Sequence, residues 1–439
     1  MEKIVSKVVQ KQNYTLSDDA IKKIVREYIE DIRNEGYDFS KCKKETFTKG
    51  KKRRDIYTFR PKSLEDIMTR YLKIRIDKLF TIRYISRNKI MNSLFNTVPV
   101  LNDLNDFVII RADFKSFFES VPTKYAYEKY IQESALKRYE KRAFRKYAEQ
   151  IRYCYAGLCL SNGLTEIICK DFDKNLRAKL DKYGVVYFER YVDDMLIILN
   201  SYISKDNAVA IINSAIKDVF EESPVRLHPH KFSYIARRNI SSSSTQDFDF
   251  LGYKFSLMLN NRRKKECIDF KYGISELKIK KYHNRFKQVF IEYKKNQDIE
   301  LLRQRLKICS TRVIITKQIG REEFKWMTKG VVANYNELRF HLNSLDNDTE
   351  HFFKEAYFDI MRELRIKVPY FLVNSNKEPS IYNIHSSLER NRSTIFENGI
   401  GIKKNDLLKW ITKVNPIYTD GNKNYSTMVV DYFVIINIR

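Results

Sequence analysis

Two adjacent carboxylates, Asp193 and Asp194, are the residues of this chain whose type and spacing most directly suggest chemistry. An apolar, β-branched run that starts at Val185 leads to them and a second apolar run, 195–199, follows them. This pattern is typical of two strands joined by a tight turn. Neighbouring carboxylates repel each other, so keeping both ionised requires a cation, and Mg²⁺ prefers hard oxygen ligands of this kind. The alternative is an ordinary hairpin with a polar turn, and the pair alone does not decide between the two.

A third carboxylate, Asp113, ends another predicted strand, 107–112, and is followed by Phe117 and Phe118 in what reads as a helical turn. A carboxylate at a strand end, next to a backbone carbonyl such as that of Phe114, is a sound set of metal ligands. Asp113 is equally compatible with the role of a helix N-cap. Three carboxylates on adjacent strand ends would hold two metal ions for in-line displacement at phosphorus.

The composition indicates a folded protein with a polyanionic partner. The chain has 439 residues, of which 43% are hydrophobic and 13% aromatic, enough for two or three domains with sizeable cores. Its 82 Lys and Arg residues exceed 55 Asp and Glu residues, a net charge of +27 that points first to nucleic acid. No apolar run approaches the ~20 residues that a membrane span requires. We therefore predict no membrane partner.

The cysteines and the N-terminus indicate a cytoplasmic protein. Six cysteines are scattered without Cys-x-x-Cys pairing, which is typical of reduced core thiols. The first seven residues lack the apolar core of a signal peptide. Because Gly and Pro number only 12 and 8, we expect a compact chain, mostly helical outside one sheet.

Several further elements should position the carboxylates. Apolar spacing predicts helices over 16–34, 63–80 and 207–220, the second with a capping-box-like start. A basic stretch that turns at Gly50 suggests a hairpin, and the alternative is a solvated basic loop. Residues 157–166 read as a small-residue loop that opens a helix at Thr165.

The chain becomes strongly basic and helical after Ile274. Residues 274–287 form an amphipathic pattern whose charges are almost all positive, and further helices are expected through Leu345. A face of one sign favours contact with a phosphate backbone over the alternative of a merely solvated surface. The polar stretch 343–349 is the best candidate for a domain boundary, and the remainder carries no interpretable motif.

The order of these features resembles the reverse transcriptases and, more broadly, the palm-fold polymerases. Residues 191–194, Tyr-Val-Asp-Asp, are similar to the Tyr-x-Asp-Asp motif, and Asp113 with its following phenylalanines is similar to the preceding acidic motif. Residues 157–166 correspond to the loop that touches template and incoming nucleotide. Residues 250–253 correspond to the hairpin that grips the primer, and 49–54 to the fingers hairpin. The similarity covers roughly 49–255.

The resemblance implies an α+β, right-hand polymerase with fingers and palm, built from an antiparallel sheet plus helices, followed by a helical, basic thumb-like region. The implied segments are an N-terminal helical extension over 1–48, fingers and palm over 49–258, a thumb-like nucleic-acid-binding region over 270–345 and a region of unknown role over 350–439.

The resemblance also implies roles for individual residues. Asp113, Asp193 and Asp194 would be catalytic and, with Phe114, would hold two Mg²⁺ ions, Mn²⁺ being the alternative. Phe118 would act as the steric gate that excludes a ribose 2′-OH and so favours dNTPs. The residues implied in nucleotide binding are Lys52, Arg54, Phe118 and Lys231. Those implied in template or primer contact are Gly157, Ser161, Thr165, Tyr191, Leu251, Gly252, Lys278, Lys281 and Arg285.

Residues 159–161, Cys-Leu-Ser, depart from the usual Pro-Gln-Gly of the template loop. A short, lysine-rich chain of this kind is most similar to bacterial abortive-infection and defence-associated reverse transcriptases. The predicted function is RNA-directed DNA synthesis on a dedicated non-coding RNA in anti-phage defence, with an RNA template, dNTPs and a DNA product. A second copy of the chain or an accessory protein is a further partner that the sequence leaves open.

Three alternatives remain at this level. One is a polymerase of the same fold that works without a template or primes from a protein hydroxyl. The second is a non-catalytic RNA-binding scaffold that uses the basic surface. The third, a metal-dependent nuclease, is disfavoured because a nuclease needs neither triphosphate-binding nor primer-binding features.

Overall fold

The computed structural model describes residues 1–13, 16–49, 52–260, 267–318 and 324–438, without the side chains of Lys49, Lys52, Lys317 and Gln318. The described residues divide into two compact units, the first formed by Met1–Asn239 and the second by the described residues from Ile240 onward. The predicted fingers and palm segment, 49–258, extends across this division. In the described ranges no helix is both long and apolar enough to cross a bilayer.

The first unit combines helices with a four-stranded sheet and a separate hairpin. Its helices are α1 (Glu2–Gln12), α2 (Asp18–Arg33), α3 (Leu64–Leu79), α4 (Arg87–Thr97), α5 (Phe117–Ser120), α6 (Thr123–Ala126), α7 (Arg138–Gln150), α8 (Cys159–Leu180) and α9 (Lys205–Phe220). Its strands are β1 (Lys43–Lys49), β2 (Lys52–Thr58), β3 (Val108–Asp113), β4 (Val185–Tyr191), β5 (Asp194–Leu199) and β6 (Ser233–Ala236).

The four-stranded sheet has the order β4-β5-β3-β6, and every neighbouring pair is antiparallel. The central strands β3 and β5 are almost entirely buried, which is why their sequences read as continuous apolar runs rather than as alternating ones. Val108, Ile110 and Ile197 join a core that also contains Phe172 of α8 and Phe220 of α9. The sheet is thus held rigidly at its centre.

The predicted helices over 16–34, 63–80 and 207–220 are confirmed as α2, α3 and α9. Each begins with a serine whose side chain accepts a backbone N–H: Ser17 from Ala20, Ser63 from Asp66 and Ser204 from Asn207.

The predicted loop over 157–166 is mostly wrong, because α8 begins at Cys159 rather than at Thr165. Leu160, Leu164 and Ile168 recur at helical spacing and are buried. Gly163 suggested a loop but serves a close helix contact instead. A Cβ there would lie 2.7 Å from Ile76 Cδ1 of α3.

The basic hairpin is confirmed as β1 and β2, which pair from Lys43 with Thr58 to Lys49 with Lys52. Its predicted turn at Gly50 lies outside the described residues. The hairpin is fastened at its base, where the Tyr57 amide donates to the Ala156 carbonyl at 2.8 Å.

The second unit holds two three-stranded sheets and the remaining helices. Its strands are β7 (Gln246–Phe250), β8 (Tyr253–Asn260), β9 (Cys267–Ile274), β10 (Arg312–Gln318), β11 (Phe324–Lys329) and β12 (Ser393–Phe396). Its helices are α10 (Glu276–Asn296), α11 (Ile299–Ser310), α12 (Val331–Asn334), α13 (Asn347–Leu364), α14 (Ile384–Glu389), α15 (Lys404–Val414) and α16 (Tyr425–Ile435).

Two expectations about this architecture are wrong. The described residues contain four sheets instead of one. The helices expected through Leu345 are interrupted by the antiparallel pair β10 and β11. The β-branched run 313–316 favours a strand there, and the surrounding lysines obscure its pattern in the sequence.

Candidate active site

The three aspartates lie together at one edge of the four-stranded sheet. Asp113 ends β3 and is the register partner of Asp194, which begins β5. Val192 and Asp193 form the intervening turn, and the Phe114 amide donates to the Asp193 carbonyl at 3.1 Å. Val192 has a φ of 62°, which is rare and strained for a β-branched residue. The predicted juxtaposition of three carboxylates therefore follows directly from strand register.

Each of two aspartates faces a cation. Arg111 donates through Nε and Nη2 to the two Asp194 oxygens at 2.9 and 3.0 Å. The Lys231 ammonium lies 2.9 and 2.8 Å from the two Asp113 oxygens. Arg111 was missed in the sequence, although a lone arginine two residues before Asp113, within an apolar strand, is a usable signal. Lys231, predicted to bind nucleotide, thus lies at the carboxylates themselves.

The electrostatics of the site favour added positive charge. Burial, followed by repulsion from Asp113, raises the pKa of Asp193. Burial also raises the pKa of Asp194, although Arg111 acts in the opposite direction. A metal cation would relieve both effects, so the donor set fits Mg²⁺, which prefers carboxylate oxygens.

The side chains are nevertheless directed toward the protein cations. Within the described ranges, no group of three or more His, Cys, Asp or Glu side chains is arranged so that it could hold a metal ion. Both Asp113 oxygens contact Lys231 and both Asp194 oxygens contact Arg111. Metal binding would therefore require these side chains to turn from their cations.

A short segment, 226–231, carries Lys231 to Asp113. It runs beside the residues that follow β3: the Lys115 amide donates to the Arg226 carbonyl at 2.9 Å, and the His228 amide donates to the Asp113 carbonyl at 2.7 Å. The Lys231 amide then donates to the His228 carbonyl at 3.2 Å. These hydrogen bonds place the Lys231 backbone beside Asp113, and the two contacts with the Asp113 carboxylate hold the ammonium of a side chain that is 45% exposed.

A buried arginine fastens the aspartate turn to α8. Arg190 has a side chain only 5% exposed and donates to both oxygens of Glu166, to both oxygens of Asp173 and to the Val192 carbonyl. The contact with the turn is 2.9 Å long. Burial raises the pKa of Asp173 even though Arg190 opposes the shift. The sequence pattern correctly places Arg190 in a strand but gives no sign that its side chain is buried between two carboxylates of α8.

The phenylalanines after Asp113 differ in burial: Phe114 and Phe117 are buried, whereas Phe118 is half-buried. The ring of Phe114 is buried against Phe172 and Phe220 and stacks on Phe117 with centroids 4.9 Å apart. Phe118, the predicted steric gate, is half-buried, and its ring centroid lies 5.9 Å from that of Phe117. Phe118 lies five residues after Asp113 in the sequence.

The predicted template residues on α8 are less open than expected. Ser161 and Thr165 are 1% and 2% exposed, and the Thr165 hydroxyl donates to the Ser161 carbonyl. Gly157 has a φ of +100°, and a Cβ there would lie 2.5 Å from the Tyr57 carbonyl of the β1–β2 hairpin. Contact of the Ser161 and Thr165 side chains with a template would require movement of α8, so these assignments stay predictions.

Three other predicted residues of the first unit lie on strands. Arg54 is exposed on β2, whereas the side chain of Lys52 lies outside the described part of the chain. Tyr191 ends β4 and is 38% exposed.

The remaining predicted residues belong to the second unit. Leu251 and Gly252 form the turn between β7 and β8 with φ values of 48° and 86°, a conformation that favours glycine. A Cβ on Gly252 would lie 3.3 Å from Lys278 Cε, so the predicted primer hairpin and the start of α10 are neighbours. Lys281 is exposed on α10, while Arg285 is partly buried.

Comparison with known proteins identifies one family. A family model described as reverse transcriptase (RNA-dependent DNA polymerase) matches residues 21–255, more than half of the 439 residues. Among solved structures, telomerase from Candida albicans in complex with a TWJ fragment of telomeric RNA is 13% identical, with a TM-score of 0.37, over 89% of this chain and 63% of that chain. The corresponding Candida tropicalis telomerase structure is 12% identical, with a TM-score of 0.36, over 91% and 64%. The chain thus spans just under two thirds of these telomerase chains. No curated protein matches it.

Proposed function

Because this chain belongs to the reverse transcriptase family, whose members are RNA-directed DNA polymerases, we propose that Asp113, Asp193 and Asp194 form its polymerase site. The observation that supports this assignment is the pairing of Asp113 with Asp194 across β3 and β5, with Asp193 in the adjoining turn. This edge of the sheet lies within the range that the family model matches.

The proposed site would hold two divalent cations, Mg²⁺ or alternatively Mn²⁺. Asp113 and Asp193 would ligate them, with Asp194 and the Phe114 carbonyl completing the set. When bound, such ions lower the pKa of an attacking hydroxyl and neutralise a leaving pyrophosphate. The fit rests on three carboxylates at one buried edge, where burial and then repulsion from Asp113 raise the pKa of Asp193.

The surrounding side chains would orient the nucleotide, neutralise its triphosphate and keep Asp194 ionised. Lys231 and Arg54, together with Lys52, would neutralise the triphosphate, since phosphoryl transfer depends on positioned positive charge. Arg111 would keep Asp194 ionised through its two hydrogen bonds. Phe118, a half-buried residue, would exclude a ribose 2′-OH by steric contact with its side chain, so that dNTPs are preferred.

We assign the nucleic-acid path to three groups of residues: Gly157, Ser161, Thr165 and Tyr191 around α8 and β4, Leu251 and Gly252 in the β7–β8 turn, and Lys278, Lys281 and Arg285 on α10. The four segments 1–48, 49–258, 270–345 and 350–439 remain our proposed functional division. The partners we propose are an RNA template, dNTPs and the DNA product.

The biological setting we propose is bacterial anti-phage defence, in the cytoplasm and on a dedicated non-coding RNA. Its support is the resemblance of this short, lysine-rich chain to abortive-infection reverse transcriptases and its net charge of +27.

The test is incorporation of each labelled dNTP by the purified full chain, with Mg²⁺ and co-purifying RNA, followed by sequencing of the product. We expect RNA-dependent DNA synthesis that Asp193→Ala with Asp194→Ala abolishes without unfolding the protein. Asp206→Asn, which changes an exposed carboxylate on α9, serves as the matched control and should leave synthesis intact. DNA synthesis by the double variant would refute the assignment of Asp193 and Asp194 to the polymerase site.

Three other outcomes would redirect the proposal. Synthesis that is insensitive to ribonuclease would indicate a polymerase without a template. Label that remains on the denatured protein after nuclease treatment would indicate priming from a protein hydroxyl. RNA binding with no metal-dependent incorporation would instead support a scaffold.

A further inference from the structure

A cavity in the second unit gathers positive side chains that the proposed polymerase site does not use. Its volume is about 120 Å³, and residues of α11 and α15 line it together with Tyr382. The charged side chains on its wall are Glu300, Arg303 and Lys307 of α11 and Lys413 of α15. Three cations and one carboxylate give this wall a net charge of +2.

The two cations on α11 lie side by side with too little negative charge between them. Arg303 and Lys307 are four residues apart, so they share a helix face, where like charges destabilise the helix. Glu300 offsets part of the Arg303 charge, with its Oε2 3.8 Å from Nη1. Lys307 pairs with no carboxylate in the described parts of the chain, and burial followed by repulsion from Arg303 lowers its pKa. A bound anion would relieve this repulsion.

Aromatic side chains hold both cations in place. The Lys307 ammonium lies 4.0 Å from the ring centroid of Trp410, a cation–π contact. The Arg303 Nε donates to the Tyr382 hydroxyl at 2.9 Å, which leaves the hydroxyl proton available to donate to a ligand. Cations that are already positioned lose little side-chain freedom when a ligand binds.

A buried amide on the same wall is a second, independent sign of a polar ligand. Gln304 is 5% exposed and lines the cavity. Its Nε2 donates to Glu300 Oε1 at 3.2 Å and to the Trp410 carbonyl at 2.9 Å, which fixes the orientation of the amide. Its Oε1 is buried and accepts from no donor among the described residues. An unpaired buried acceptor is costly, and a ligand that carries a hydroxyl group would supply the donor.

We propose that this cavity binds the terminal phosphate of a small phosphate monoester, with Arg303, Lys307 and Lys413 as its cations. A phosphate monoester carries close to two negative charges at neutral pH, which matches the wall. A carboxylate carries one, and so does each phosphate of a nucleic-acid backbone. The cavity is several times larger than the roughly 30 Å³ that a water molecule occupies in the liquid, so a phosphate group fits.

The organic part of the ligand has a neighbouring space. A second cavity of about 440 Å³ shares Trp410 and Lys413 with the first. Its two other charged residues, Asp406 and Lys409, offset each other, with Oδ1 and Nζ 3.8 Å apart. The strong positive charge is therefore confined to the smaller cavity. This site is separate from the proposed polymerase site and does not depend on it.

The chain offers a direct optical test, because it contains only two tryptophans, Trp326 and Trp410. In a Trp326→Phe background, tryptophan fluorescence reports on Trp410 alone. We expect phenyl phosphate, added without metal or dNTP, to change this emission saturably, because the anion draws on the charge that faces the ring. Benzoate, which has the same ring but a single charge, should bind at least about tenfold more weakly. Equal affinities, or no saturable change with phenyl phosphate, would overturn the proposal.

Calorimetric affinities of lysine variants complete the test. Lys307→Met keeps an unbranched chain over Trp410 and should weaken phenyl phosphate binding by roughly 10- to 150-fold, the effect of losing a hydrogen bond to a charged group. Lys413→Met changes an exposed residue and should weaken binding in the same direction. Lys367→Met is the matched control, because Lys367 is exposed elsewhere in the second unit. With circular dichroism confirming folded variants, equal affinities of Lys413→Met and Lys367→Met would refute the site.

Competition against phenyl phosphate distinguishes the sources of the phosphate. Adenosine monophosphate should displace it, whereas adenosine should not. A short RNA with a 5′-hydroxyl end that displaces it as well as adenosine monophosphate does would show that the cavity binds phosphodiesters, and would overturn the proposal. A 5′-phosphorylated RNA that binds far more tightly than adenosine monophosphate would replace the small molecule with a strand end. None of these assays contains metal, primer or dNTP, so their outcome is independent of the aspartate site.

Discussion

Replacement of Arg190 by methionine should destabilise the first unit more than any exposed substitution. The side chain is 5% exposed and holds two carboxylates and the Val192 carbonyl. Methionine keeps an unbranched apolar chain but leaves Glu166 and Asp173 without their shared cation. Removing one partner of a buried ion pair typically costs about 3–5 kcal/mol.

The assay is thermal denaturation of the full chain, followed by far-ultraviolet circular dichroism at pH 8 and at pH 5. For a unit of this size, about 3–5 kcal/mol corresponds to a fall in Tm of roughly 6–20 °C. Burial already raises the pKa of Asp173, and loss of Arg190 raises it further. The folded state of the variant then binds a proton more readily than the unfolded state does, so its stability falls as pH rises. The loss should be smaller at pH 5 than at pH 8.

Two further variants make the reasoning refutable. Adding Glu166→Gln and Asp173→Asn to Arg190→Met removes the stranded charges and should recover at least half of the lost stability. Arg145→Met breaks an exposed arginine–glutamate pair and should change stability by no more than about 0.5 kcal/mol. If Arg190→Met costs less than Arg145→Met, or if the triple variant is no more stable than Arg190→Met, the buried network does not stabilise the turn.

Three more predictions follow from the same geometry. Arg111→Met removes the cation that lowers the pKa of Asp194, so the acidic limb of the pH–rate profile for dNTP incorporation should move to higher pH. An unchanged acidic limb would show that Arg111 does not keep Asp194 ionised during the reaction. Gly157→Ala should lower the free energy of unfolding, measured with denaturant, by roughly 1–3 kcal/mol, because its φ is +100° and the new Cβ meets a backbone carbonyl. Gly36→Ala is the control and should be nearly neutral, because a Cβ there would have no contact shorter than 3.5 Å. Phe118→Ala should raise rNTP incorporation relative to dNTP by about tenfold or more in direct competition, and an unchanged ratio would exclude Phe118 as the gate.

The aspartate edge could be anticipated because strand periodicity and turn chemistry are local properties. Apolar runs on both sides of the Asp193–Asp194 pair define β4 and β5, and the run before Asp113 defines β3. Antiparallel pairing then places their ends at one edge. The order of the strands in the sheet is the one piece of long-range information that this placement of the three aspartates requires.

The partners of these residues could not be anticipated in the same way. Arg111 lies 83 positions before its partner Asp194 in the sequence. Arg190 lies 17 positions after Asp173 and 24 positions after Glu166. No local sequence pattern encodes contacts at these separations. The start of α8 was misplaced because Gly163 is a loop former by propensity, while the close approach of α3 requires a residue without a side chain there. In each case tertiary packing overrode the local signal.

The pairing of Asp113 with Lys231 and of Asp194 with Arg111 has a consequence for ligand affinity. Three carboxylates and two protein cations leave one net negative charge, a weak attraction for two divalent ions by themselves. A triphosphate would bring the missing negative charge and compete for Lys231. Metal and nucleotide should therefore strengthen each other's binding, and thermodynamic linkage requires the gain to be the same in both directions. The proposed site would thus bind metal and nucleotide as one complex, with a lower affinity for either ligand alone.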